Sequence, residues 1–186
     1  MVPCGHATPQ EAPVLSSTMQ NALNTQINKE QASSQLYLAM SAYIADRNFH
    51  GFAHWLRIQS EEETAHALKL VDFILERCGN VELRPIAAPT QKFDGVIQLF
   101  ELALAHEREN TCSIHGLFDT ARAEQDYASE IALHWYVTEQ VKEESVVSAI
   151  VDHLRAVGDQ GGAIWYLDHR MSKRQKGESL NPISLD

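Results

Sequence analysis

Residues 16–77 and 96–157 form two stretches with one glycine apiece and no proline. Runs of that kind favour long helices over sheet strands. At helical spacing the first run yields the stripe Leu23, Ile27, Glu30, Ser34, Tyr37, Ser41, Ile44, and then Phe52, Leu56, Gln59, Glu63, His66, Leu70, Phe73. The second run yields Val96, Phe100, Ala103, Glu107, Asn110, Ile114, Leu117, and then Leu133, Val137, Gln140, Glu143, Val147, Ile150, Leu154. Every stripe has apolar ends and a polar centre. Glu30 stands 33 residues before Glu63, and Glu107 stands 33 before Gln140; in each pair another polar residue, His66 or Glu143, follows after 3 more. The chain is therefore predicted to form two similar helical hairpins that bring matching side chains to one central site.

Local signals mark the ends of four helices. The first starts near Ser17-Thr18, whose hydroxyls can cap it, and runs to about Arg47. Asn48-Phe49-His50-Gly51 reads as a short turn, so the second helix returns antiparallel and ends near Cys78-Gly79-Asn80. Residues 79–93 contain Pro85 and Pro89 and no helical period; a link of that length can travel along a bundle and join parallel helices. The third helix is predicted from Asp94 to Ala123, and a turn at Glu124-Gln125-Asp126 leads into a fourth that ends near Val157-Gly158. A short fifth helix follows from Ala163 to about Met171. The fold class is thus all-α, a four-helix bundle with one long crossover. Residues 1–15 read as a flexible extension, 16–172 as the bundle, and 173–186 as a polar tail. Helices of about 30 residues span roughly 45 Å, long for an isolated bundle, so the exposed flanks point to self-assembly.

A carboxylate and an imidazole three residues apart project the same way from a helix. Set in a core-facing stripe, they cost on the order of several kcal/mol unless a positive charge meets them. A metal cation is the economical answer. Carboxylate oxygen and imidazole nitrogen suit iron, manganese or zinc. The arrangement resembles that of ferritin-like di-iron bundles, in which a carboxylate can bridge two metals. Glu63, central in its stripe, would be the best candidate for that role, with Glu30 and His66 completing one metal and Glu107 the other. The fourth helix offers Gln140 and Glu143, so the second metal has fewer tight ligands and is the labile one. Tyr37, seven residues after Glu30, is positioned to hydrogen-bond a ligand or donate an electron.

A net charge of −10 favours cations as partners over nucleic acid. No run approaches the ~18 apolar residues of a membrane span. The three cysteines, Cys4, Cys78 and Cys112, lack metal-finger spacing and fit a reducing, cytoplasmic setting better than a disulfide framework.

Taken together, Glu30 with Tyr37, Glu62-Glu63-Thr64-Ala65-His66, Glu107 and Trp135-Tyr136-Val137-Thr138-Glu139-Gln140 resemble a bacterial-type, non-haem ferritin, over residues 16–172. Glutamates from separate helices with a Glu-x-x-His motif are the defining arrangement of ferritin-like di-iron bundles. The resemblance implies a homo-oligomeric shell of 24 subunits. It also implies oxidation of Fe(II) by O2 or peroxide at a di-iron centre, and ferric mineral stored inside. Glu30, Tyr37, Glu63, His66, Glu107 and Gln140 would carry that reaction. A third, weaker iron site would use Glu62, Glu139 and Glu143; Lys142 stands where the family pattern has a further carboxylate. The same resemblance makes Glu61 a candidate for mineral nucleation and gives Asp126 and Glu130 a place in an iron channel. Haem is not expected, because Thr64 replaces the methionine that would ligate it and Lys142 replaces the second motif's histidine.

Overall fold

The computed structural model describes residues 15–158 and 161–177. Most of the N-terminal extension and the end of the tail lie outside them. The described chain forms helices α1 (Ser17–Ala45), α2 (His50–Glu76), α3 (Val96–Ala123), α4 (Tyr127–Val157) and α5 (Gly161–Met171). This is the all-α bundle expected from the stripes.

Side-chain pairings fix the helix directions. Ser34 and Ser41 of α1 bond to Ser60 and Ala53 of α2, while Ser33 and Gln26 of α1 bond to His106 and Asn110 of α3. Gln59 and His66 of α2 meet Glu143 and Tyr136 of α4. Rising numbers on one helix meet falling numbers on its neighbour, so α1 and α4 run one way and α2 and α3 the other. The crossover over 77–95 must therefore span the bundle, and α1 guides it. Asn24 donates to the carbonyl of Asn80 and accepts from the N–H of Glu82, Asn28 donates to Arg84, and the Tyr43 hydroxyl caps the carbonyl of Phe93. These side chains replace the partners that a loop backbone packed on a helix would otherwise lose.

The helix ends depart from the sequence expectation by a residue or two. Ser16, not Ser17 or Thr18, caps α1: its side chain accepts from the Met19 N–H at 3.0 Å. His50 and Gly51, read as turn, belong to α2, because Asp168 of α5 accepts from the Phe52 N–H at 2.8 Å and serves as the missing cap. Glycine is required at 51, where a Cβ would come within 1.6 Å of the Asp168 carbonyl oxygen. The third helix begins at Val96 rather than Asp94, after Gly95 at φ 112°. At the end of α2 it is Cys78, not Gly79, that turns left-handed (φ 54°), while the Gly79 N–H closes the turn onto Ile74. Cys112 is free, but Cys78 is disulfide-bonded, against the expectation that a reducing setting suits these cysteines better than disulfides.

Two apolar clusters fill the bundle. One holds Tyr37, Ile44, Phe52, Trp55, Leu56, Phe100, Val147 and Leu154; the other holds Leu15, Met19, Leu23, Ile27, Leu70, Ile74, Ile114 and Leu133. A layer of buried polar residues separates them: Gln26, Glu30, Gln59, Glu63, His66, Glu107, Asn110, Gln140 and Glu143. Ser34, Phe73, Val96 and Val137 lie only half-buried at the margins of their stripes. Ser33, Ile74, Leu99 and Tyr136 take the fully buried places, as the drift of a 3.6-residue period across a long helix requires.

Candidate metal centre

Within the polar layer Glu30, Glu63 and His66 meet. One ligand atom from each lies within 4.8 Å of the other two, and all three residues are buried. The His66 Nδ1 is 3.9 Å from Glu30 Oε2 and 3.8 Å from Glu63 Oε2, too far for hydrogen bonds. No N–H or hydroxyl donor reaches either of those two carboxylate oxygens. The other oxygen of Glu30 accepts from Gln26 Nε2 at 2.6 Å, and the same amide nitrogen donates to Asn110 at 2.7 Å. Gln26 is in turn fixed by Ser113, which donates to its oxygen at 2.6 Å. Glu30 is thus held by one oxygen while its other oxygen faces the histidine.

Charge makes this arrangement costly for the protein alone. Burial, then repulsion from Glu107 and Glu30, pushes the Glu63 carboxyl well above the ordinary carboxylate range. Burial pulls the His66 imidazole down, so near neutral pH it is uncharged and its ring nitrogen is free to ligate. Two bare carboxylate oxygens and a neutral imidazole make a donor set that fits a divalent cation, which would remove the burial cost of the acids.

The opposite side is arranged differently. Glu107 receives the Tyr37 hydroxyl on one oxygen and Gln140 Nε2 at 3.2 Å on the other. Gln140 also donates to the Glu107 carbonyl and to Thr111. Glu143 accepts from Gln59 Nε2 at 2.6 Å. Burial lifts Glu107 to about 7 and Glu143 to about 8, in each case partly offset by these donors. Tyr37 is raised well above its ordinary value, by burial first and then by Glu107, so it stays protonated and donates.

Beside this layer lies a cavity of about 350 Å³, lined among others by Glu62, His66, Trp135, Glu139, Lys142 and Arg174. Here the sequence-predicted carboxylates Glu62 and Glu139 do converge, but each carries a cation: Arg174 on Glu62, and Lys142 on Glu139 at 2.8 Å. Glu61 is exposed and paired with Lys176 at 2.9 Å. Asp126 caps α4 and pairs with Arg77 at 3.0 Å. Sequence reasoning missed Gln26, Thr111 and above all Arg174. Gln26 sits one turn before Glu30 and so had a spacing signal; Arg174, in a segment without periodicity, had none.

A profile of the ferritin-like domain family matches residues 20–157. A bacterial non-heme ferritin from Bacteroides fragilis (strain 638R) is 38% identical over 161 residues, 87% of this chain and 100% of the relative. One from Staphylococcus haemolyticus (strain JCSC1435) is 33% identical over 165 residues, 89% of this chain and 99% of the relative. Among solved structures, the open pore ferritin of the hyperthermophilic archaeon Archaeoglobus fulgidus superposes with a TM-score of 0.85 at 41% identity, covering 86% of this chain and 99% of its own.

Proposed function

The chain belongs to the ferritin family, and from that premise we propose that it oxidises ferrous iron and stores the ferric product inside a shell of 24 copies. Iron is the substrate and the cargo. Each ferrous ion gives one electron to dioxygen or hydrogen peroxide, and the ferric ion then hydrolyses and moves on to mineral. Glu30 and His66 hold the first ion, Glu63 is shared between two, and Glu107 with Gln140 receives the second. Tyr37 steadies Glu107 by donating a hydrogen bond.

The observation that carries this reading is the pair of buried oxygens on Glu30 and Glu63, reached by no N–H or hydroxyl donor and facing a neutral His66. A purely structural polar layer would have satisfied them, since an unpaired buried polar atom costs about 1–3 kcal/mol. A third ion binds weakly beside them, because Arg174 and Lys142 already neutralise Glu62 and Glu139.

No helix among the described residues is long and apolar enough to cross a membrane. The test is anaerobic addition of ferrous iron followed by air, with ferric formation recorded optically. Rapid oxidation lost in Glu63→Ala supports the reading, and equal rates in both proteins end it. Light scattering checks the shell: twenty-four chains of 20.9 kDa make a particle of about half a megadalton, and a monomer or dimer contradicts the assembly.

A further inference from the structure

The last described residues fold back against the iron centre. His54 Nε2 pairs with the carbonyl of Arg174 at 2.9 Å, Lys176 reaches Glu61, and the Gly177 N–H donates to Glu62 at 3.2 Å. Between these ties the Arg174 side chain is buried, only 6% exposed. Its Nη1 donates to Gln59 Oε1 at 2.7 Å and to the Trp55 carbonyl at 3.3 Å, its Nη2 pairs with Glu62, and its guanidinium lies 4.5 Å over the Trp55 ring.

The bond to Gln59 does more than anchor a tail. A primary amide has one acceptor end and one donor end. With its oxygen taken by the guanidinium, Gln59 must turn its NH2 the other way, where it donates to Glu143 Oε2 at 2.6 Å. A flipped Gln59 would set donor against donor at Arg174, whose guanidinium has no acceptor to offer, and would lose that bond. The orientation is therefore locked from outside the bundle, and the lock ends on a carboxylate of α4.

We propose that Arg174 is a positioning residue of the iron centre: through Gln59 it keeps Glu143 engaged as a hydrogen-bond acceptor, and so keeps the second iron position the weaker of the two. This rests on the iron reading above. A tail anchor alone would need only Glu62 and the Trp55 carbonyl. The link through Gln59 makes the C-terminal segment a determinant of how readily iron leaves the α3–α4 side.

Stepwise titration of the assembled full-length protein with zinc, a redox-silent divalent ion, tests this by calorimetry. Arg174→Gln is expected to tighten the second binding step by about tenfold, the change that accompanies release of one hydrogen bond, and to leave the first step unchanged. Gln59→Leu retains the guanidinium charge and frees Glu143, so it is expected to tighten the second step as well. It also serves if the Arg174 variant fails to fold. Tightening in Arg174→Gln alone would mean a plain charge effect and would overturn the relay; so would an unchanged second step, or weakening of both steps together. If the wild-type protein shows no first step that Glu63→Ala abolishes, the iron reading fails, and that outcome is visible before either new variant is measured.

Discussion

The two hairpins share one spacing but present opposite chemistry. On the α1–α2 side, Glu30 and Glu63 each keep a bare buried oxygen toward His66. On the α3–α4 side, Glu107 is hydrogen-bonded through both oxygens and Glu143 accepts from Gln59. The first side is built to be completed by a cation, whereas the second is nearly complete without one. A metal arriving at the first side relieves a cost; a metal at the second must displace Tyr37, Gln140 or Gln59 from bonds already made. Under the proposed function, tight capture and easy release would fall to different hairpins of one fold.

That contrast breaks most severely if its α1–α2 side is emptied. Glu63→Ala should lower the initial rate of ferrous oxidation by about a hundredfold or more, beyond what loss of a supporting partner costs a metal site. The same change should raise the melting temperature of the metal-free protein, because it removes a carboxyl crowded by Glu30 and Glu107. A lower melting temperature would mean that Glu63 is structural.

Glu107→Gln comes next. It should reduce divalent ions bound per subunit from two to one in equilibrium dialysis while the first affinity stays put. Loss of both ions would show that the two sides are not separable.

The metal-free protein should also respond to pH, in a direction set by the buried carboxyls of both sides. Glu107 and Glu143 titrate near 7 and 8 when folded, against an ordinary 4.5. Between those values the folded state holds protons that the unfolded state has lost, so stability is greatest below about 4.5, as far as these groups are concerned, and falls as pH rises through 7 to 8. Urea midpoints measured from pH 5 to pH 8.5, about the span of these titrations, should therefore decline, and less steeply in Glu107→Gln. A flat profile would contradict the burial argument.

Tyr37→Phe should have the smallest effect. Loss of one hydrogen bond, about 1 kcal/mol, should change the second ion's affinity by about fivefold. The direction is tightening, since the metal no longer has to displace that hydroxyl. A large fall in the oxidation rate despite it would instead assign Tyr37 an electron-transfer role.

Much of this centre is legible in the sequence because helical period and burial act on the same residues. Glu30, Glu63, His66 and Glu107 interrupt apolar stripes, and acids buried together in that way call for a cation among them. The stripes also set Gln140 and Glu143 on the core face, though not what they bond to: an amide can ligate through oxygen or donate through nitrogen, and spacing does not distinguish the two. Helix starts are misplaced where the cap comes from elsewhere in the chain, as Asp168 does for α2. Arg174 is invisible because its position depends on a fold-back after α5, and no local pattern encodes a contact with residues more than a hundred positions earlier.

The polar layer has a mechanical consequence as well. Because it parts two separate apolar clusters, each end of the metal-free bundle is expected to open as a cooperative unit of its own. Hydrogen exchange of the metal-free protein should then resolve two classes of slow amides, one for each cluster. Ions gripped from all four helices would act as a weld across the seam, merging the classes into one and making the loaded bundle open only as a whole.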